Sequence, residues 1–244
     1  MSSSKREREY ARKRHEKWLA RQAALQARRR RRQVLIGSVL GGLVLVAAVV
    51  LAITLTRDDA PAAAAEPSAP ATAPDPAVAE GRTWKTTLST TAGDVQMDLD
   101  GAAAPQAVAS FVTLAQQGFF DDTTCHRLTV EGIYVLQCGD PTGTGTGGPE
   151  YRFGPIENAP ADDVYPAGTV AMARTTDDPS SQGSQFFLVY KDSTIPQDSA
   201  GGYTVLGNIT GGMDVLQAVA DAGIAEGTPS TPVTTVTIKG VETQ

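Results

Sequence analysis

A chain of 244 residues allows one ordinary domain with sequence to spare. Its net charge of −6 conceals a division: the first 33 residues hold 13 of the 21 Lys and Arg against three acids, while the other 211 carry 8 basic and 24 acidic side chains. No CxxC, HExxH or GxSxG occurs, which sets aside the redox, zinc-protease and serine-hydrolase sites that those spacings would build.

In chain order, the basic arm (residues 1–33) comes first. An uncharged run from Val34 to Thr56 follows, VLIGSVLGGLVLVAAVVLAITLT. Its 23 residues would rise about 34 Å as a helix, enough for a hydrocarbon core of about 30 Å. The run is read as one transmembrane helix. Five arginines at positions 28–32 precede it, and Arg57, Asp58 and Asp59 follow. The excess of positive charge before the span puts the N-terminus in the cytoplasm and everything after Arg57 outside. The arm then lies on the anionic inner leaflet. Nucleic acid is the weaker reading for it, because no aromatic stacking platform accompanies the charge. Gly37 and Gly41 have the spacing of a helix–helix contact, which leaves the oligomeric state open. The Ala-rich stretch at 61–66 also leaves open cleavage near Ala65.

Residues 57–81 are dominated by Ala and Pro. Prolines 61, 67, 70, 74 and 76 block a regular helix or strand, so the segment reads as a semi-stiff spacer. A folded domain is expected over residues 82–244. Trp84, Thr86 and Leu88 alternate, as do Val95, Met97 and Leu99, with a turn at 91–94; this predicts two paired strands. A helix follows in APQAVASFVTLAQQGFF, with Pro105 in its first turn and Gly118 at its C-terminal cap. Further strands are expected at 126–129, 132–137, 169–173, 185–190, 203–209 and 234–239, with a second helix over 213–220. Many short strands with one early and one late helix suggest a mainly β fold, an antiparallel barrel closed by helices.

His126 is the only histidine in that domain, and no carboxylate spacing suggests a metal site. The run GDPTGTGTGG lacks the GK[ST] ending of a phosphate loop. What remains is specific: CHRLTVEGIYVLQCGDPTGTGTGGPEYRF, then GTVAMARTTDDPSSQGSQFFLVY, then YTVLG at 203–207. These blocks resemble cyclophilins closely, in particular the membrane-anchored actinobacterial members, and the resemblance covers about residues 86–240.

The resemblance implies an eight-stranded antiparallel barrel capped by two helices, and rotation about the bond preceding proline, without cofactor or metal. It implies that Arg127 is catalytic, and that Gln137, Ala173, Gln185 and Phe187 line the site. Tyr134 and Val135 stand where the family usually has Phe and Met in the proline pocket. Ile195 falls near a pocket Leu, Tyr203 replaces a frequent His, and Thr194 replaces the Trp of many members. Proline-containing polypeptides are the implied partners, and help with folding outside the cytoplasm the implied task. The chemistry of the residues agrees. X–Pro rotation must break amide delocalisation against a barrier of about 20 kcal/mol. A guanidinium at the proline nitrogen stabilises the twisted amide more than the planar one. The alternative is a module that binds proline segments at the cell envelope without turning them over.

Cys125 and Cys138 are the only cysteines, and both lie in the part placed outside the membrane, where disulfides persist. They flank HRLTVEGIYVLQ, which reads as a hairpin, so pairing its ends sets Cys125 opposite Cys138 and suggests a disulfide. Two buried free thiols are the alternative.

The charge asymmetry around the span makes a direct prediction. Protease added to intact spheroplasts should remove the segment after Arg57 and leave the basic arm protected. Protection of the C-terminal domain would reverse the orientation.

Overall fold

The computed structural model describes residues 72–244. The basic arm, the apolar span and most of the spacer lie outside the described residues. Among those described, no helix is long and apolar enough to cross a membrane.

Alternation sets the first hairpin. In β1 (Thr83–Thr90) and β2 (Gly93–Asp100) every second side chain is buried. The register puts Trp84 against Leu99, Thr86 against Met97 and Leu88 against Val95, so these side chains form one inward face. The helix α1 (Pro105–Gln116) follows in sequence, with Pro105 at its first position and Gly118 left-handed just past its end. Its N-cap residue, Ala104, has no side chain that can accept a hydrogen bond. The Glu157 carboxylate does this instead, accepting from the Gln106 and Ala107 N–H groups at 3.0 Å each. A carboxylate is favoured there by the helix dipole as well as by the orphan donors.

The remaining strands are β3 (Arg127–Thr129), β4 (Val135–Cys138), β5 (Val164–Tyr165), β6 (Thr169–Met172), β7 (Phe186–Val189), β8 (Ser193–Thr194), β9 (Val205–Gly211) and β10 (Ile238–Thr243), with α2 (Met213–Ala222) between the last two. Eight of them form one antiparallel sheet in the order β10-β1-β2-β9-β6-β7-β4-β3, and β5 pairs with β8 separately. The sheet curls into a half-barrel. Its two edge strands approach through flanking backbone: Asp122 N–H donates to Ile238 O, Ile238 N–H to Thr123 O, and Cys125 N–H to Val236 O. Where β9 crosses β2, a Cβ on Gly207 would collide with the Asp98 carbonyl, so only glycine fits.

The main core fills the concave side. Phe111 of α1 packs at 5.0 Å on Phe120 and edge-on at 5.3 Å on Phe186. Leu88, Leu99, Leu128, Leu136, Val170 and Leu206 are all fully buried in the same cluster. Burying each such side chain stabilises the fold by about 1.5–3 kcal/mol.

Two expectations need correction. The spacer reading over 57–81 runs too far: Pro76–Ala79 forms a 3-10 turn capped by Asp75, and Ala79 is buried in the main core. The Trp84 indole donates to the Ala79 carbonyl at 2.9 Å, and the Gln106 amide to the Pro74 carbonyl at 2.9 Å. Proline does not prevent this, because a short 3-10 turn needs no N–H from its first residue. The last strand lies at Ile238–Thr243, C-terminal to the expected 234–239, because β10 pairs along β1 and not where apolar alternation alone is strongest.

Cys125 and Cys138 are joined as a disulfide. They are not directly opposite, as the ends of a regular hairpin would be. Arg127 faces Gln137 and Thr124 faces Asp140, which sets Cys125 against Gly139. The ladder is interrupted between Thr124 and Arg127, and this turns Cys125 inward beside Cys138, both in the main core.

Candidate active site

Strands β4, β6 and β7 are buried on both faces. Leu136, Cys138, Val170, Met172, Phe186 and Leu188 point into the main core. Their neighbours Val135, Ala171, Phe187 and Val189 join Tyr165 and Ile195 in a second apolar cluster on the convex side. Phe186 and Phe187 thus divide between the two faces, as period-two geometry requires. The second cluster is the floor of a cavity of about 290 Å³.

That cavity brings together Arg127, Val135, Gln137, Ala173, Phe187, Ile195 and Tyr203, seven of the residues singled out from the sequence. Phe187 meets the Tyr203 ring edge-on at 5.6 Å and the Tyr165 ring at 6.4 Å. Tyr165 fixes Tyr203 from below: its hydroxyl accepts from the Tyr203 N–H at 2.8 Å and lies 3.4 Å from the Tyr203 carbonyl. Burial pushes the Tyr165 phenol above its ordinary value, so it stays a neutral hydroxyl.

Arg127 stands at the polar rim. Its Nη1 donates to Gln137 Oε1 at 3.2 Å, Gln137 Nε2 donates to Gln185 Oε1 at 2.8 Å, and Gln185 Nε2 donates to the Gly147 carbonyl at 2.9 Å. This relay fixes both amide orientations and leaves the other N–H groups of the guanidinium without a protein acceptor among the described residues. Gln185 itself lines a neighbouring groove of about 400 Å³, which shares Gln137, Ala173, Arg174 and Thr176 with the cavity.

Tyr134 is not brought into the cavity. It packs against the main core, edge-on to Tyr190 at 5.9 Å with the Lys191 ammonium 4.3 Å over its ring. It adjoins Val135, and alternation sends adjacent side chains to opposite faces. Ile133, one residue earlier, lines the cavity in its place. Thr194 is exposed and does not line the cavity. Sequence reasoning missed Ile133, Tyr165, Arg174 and Thr176. Arg174 lies over Tyr203 at 4.6 Å and is held by Asp198 through two 2.8 Å bonds. The Arg174 guanidinium holds the Asp198 carboxyl well below the usual carboxylate range.

Beside the relay, the glycine-rich loop is organised by one buried anion. Asp140 accepts from the Thr142 N–H at 2.7 Å and hydroxyl at 2.8 Å, and from the Gly145 and Gly147 N–H groups at 2.5 and 3.2 Å. Burial pushes its carboxyl up, but these donors outweigh burial and the net displacement is downward. His126 sits under the same loop with both ring nitrogens buried and unpartnered among the described residues. Burial lowers its proton affinity, partly offset by the Asp140 charge and reinforced by Arg127, so it adds no charge near Arg127 at neutral pH.

A family model described as cyclophilin type peptidyl-prolyl cis-trans isomerase/CLD matches residues 85–243. The chain belongs to that family. The matched span carries both the cavity and the relay of this cyclophilin. A probable peptidyl-prolyl cis-trans isomerase B of Mycobacterium tuberculosis is 45% identical over 167 residues, which cover 63% of this chain and 52% of the relative. A peptidyl-prolyl cis-trans isomerase of Helicobacter pylori is 38% identical over 153 residues, covering 62% of this chain and 90% of that one. The crystal structure of a Cryptosporidium parvum cyclophilin type peptidyl-prolyl cis-trans isomerase in the presence of the dipeptide Ala-Pro superposes with a TM-score of 0.56 at 27% identity, over 66% of this chain and 98% of that one. The chain spans about half the length of the mycobacterial relatives it matches.

The Asp140 geometry carries a pH prediction. Above about pH 5 the carboxylate is charged in folded and unfolded chains alike, and its contribution to stability is complete. As pH falls below 3.8 the unfolded chain takes up the proton first, because the folded value lies lower; stability therefore declines until pH has passed through the folded value. Asp140→Asn should cost about 2–3 kcal/mol at neutral pH and flatten this acid limb in denaturant titrations. A variant whose stability profile runs parallel to that of the wild type would show that the loop does not depend on the anion.

Proposed function

We propose that this cyclophilin is a peptidyl-prolyl cis-trans isomerase, and that the observation carrying this reading is the juxtaposition of a fixed guanidinium with an apolar slot. The slot formed by Phe187, Val135, Ile195 and Tyr203 is shaped for a proline ring. The relay through Gln137 and Gln185 holds Arg127 beside it. With the ring seated, an N–H of Arg127 meets the proline nitrogen. That nitrogen becomes a hydrogen-bond acceptor only as the amide twists and its lone pair leaves conjugation. The interaction is therefore stronger in the twisted state than in either planar one, which lowers the barrier. No bond is made or broken and no proton is transferred, so the neutral His126 and Tyr165 side chains need no acid–base role.

The Ala-Pro dipeptide with the Cryptosporidium relative supports the same ligand class here: an extended polypeptide carrying proline. We place the domain outside the cytoplasmic membrane, anchored by the span at 34–56 with its basic arm on the inner leaflet, and assign it to the folding of extracytoplasmic clients. The charge asymmetry around the span supports this topology, and the Cys125–Cys138 disulfide suits an oxidising compartment.

Arg127→Ala should lower kcat/KM on an X–Pro peptide by at least about 10²-fold, a loss of nearly 3 kcal/mol of transition-state stabilisation. Arg127→Lys should recover little, because an ammonium lacks the planar fork that bonds Gln137 and substrate together. Near-wild-type turnover in a folded Arg127→Ala chain would remove Arg127 from the mechanism.

A further inference from the structure

Phe187 and Tyr203 are the two aromatic rings that line the cavity. Phe187 is fixed by β7, but Tyr203 lies outside any strand. It follows a tight turn in which Asp198 and Gly201 exchange backbone hydrogen bonds at 3.3 and 3.0 Å. Arg174 holds this loop. All five N–H groups of its guanidinium find acceptors. Nε donates to the Gly202 carbonyl at 3.0 Å, and Nη1 to the Thr175 carbonyl at 3.1 Å and Asp198 Oδ2 at 2.8 Å. Nη2 donates to Asp198 Oδ1 at 2.8 Å and to the Gly201 carbonyl at 2.6 Å. The side chain is 1% exposed, and its Cζ lies 4.6 Å from the centroid of the Tyr203 ring.

Two loops are tied together here. Asp198 also accepts from the Asp177 N–H at 3.0 Å and the Ala200 N–H at 2.9 Å. In return the Asp177 carboxylate accepts from the Ser199 N–H at 3.1 Å and hydroxyl at 2.6 Å. Thr176 of the first loop and Tyr203 after the second both line the cavity. From below, the Tyr165 hydroxyl accepts from the Tyr203 N–H, and a Cβ on Gly202 would come within 2.9 Å of that hydroxyl. A buried ion pair adds little net stability over apolar side chains of the same size, because its charges lose their water. What this one adds is a single position for the ring.

We infer that Arg174 is a positioning residue for the isomerase reaction: clamped by Asp198, it holds the Tyr203 ring as one wall of the proline slot. It acts through that ring and not on the X–Pro bond. A wall that grips the proline ring grips it alike in the cis, trans and twisted states. Such uniform binding sets KM and leaves kcat unchanged. The inference rests on the isomerase reading and divides its site in two, with Arg127 serving turnover and the Arg174 clamp serving affinity.

The test uses the full chain and one X–Pro peptide, with Kd read from peptide NMR shifts and kcat from cis–trans exchange at saturating peptide. Arg174→Lys keeps the charge but offers an ammonium in place of the planar five-donor fork. Asp198→Asn breaks the clamp from its partly exposed side, and Asp177→Ala loosens it from an exposed carboxylate should the other two fail to fold. Arg174→Lys and Asp198→Asn should raise Kd and KM about fivefold to tenfold, the size of a partly desolvated cation–π contact, with kcat within about twofold of the wild type. Asp177→Ala should shift Kd the same way by less. Tyr203→Leu removes the ring itself, and in that background Arg174→Lys should weaken binding no further. Unchanged Kd in the folded variants would overturn the inference. A fall in kcat at unchanged Kd would overturn it too, as would effects of Arg174→Lys and Tyr203→Leu that simply multiply. If the wild type binds the peptide without turning it over, the isomerase reading fails, while the Kd comparisons still decide for or against the clamp.

Discussion

Three strands that bury both faces govern this domain. β4, β6 and β7 alternate between a main core under α1 and a smaller apolar cluster on the convex side. Because side-chain period in a strand is two, the residues that fill the core fix the direction of those that build the cavity. Phe186 is locked between Phe111 and Phe120, and that leaves Phe187 no freedom to do other than face the cavity. A register slip of one residue in β7 would exchange the two rings and destroy core and cavity together. The slot is rigid for the same reason that the fold is stable.

Polar order is then added at one end of the slot. The chain of bonds from Arg127 through Gln137 and Gln185 to the Gly147 carbonyl ties a guanidinium to the glycine-rich loop, and Asp140 holds that loop from beneath. Each link is a side chain whose own orientation is set by the next, which is how a site keeps its geometry to within a fraction of an ångström. The disulfide contributes to the same end. It joins the segment before Arg127 to the residue after Gln137, across a separation of 13 residues. Closing so short a loop contributes at most about 3 kcal/mol through the unfolded chain. Its larger consequence is positional, since the two strands that present Arg127 and Gln137 cannot separate.

Much of this was legible in the sequence. Alternation in β1 and β2, the proline-started α1 and the motif blocks around Arg127 and Gln185 carry the fold class and most of the cavity. What escaped depends on distance in sequence or on very short elements. β5 and β8 have two residues each, too few for any period. Tyr165 reaches the site only because that small ladder sets it under Tyr203. Glu157 caps a helix 50 residues away, and nothing local announces it. Arg174 reads as one more solvated arginine until Asp198 and Tyr203 are seen around it. Motif alignment supplies position along a strand but not which face a given neighbour takes, so Tyr134 lies outside the cavity and Ile133 lines it.

An isomerase turns the X–Pro bond over, whereas a binding module only holds it. Exchange spectroscopy by NMR on a short X–Pro peptide, with the full chain present at a small fraction of the peptide concentration, separates the two. Uncatalysed exchange takes about 10–100 s and gives no cis–trans cross-peaks at sub-second mixing times. Cross-peaks between the cis and trans resonances at those mixing times are the predicted result. Peptide shifts that report binding while the cross-peaks stay absent would contradict it, and would leave a domain that holds proline segments without turning them over.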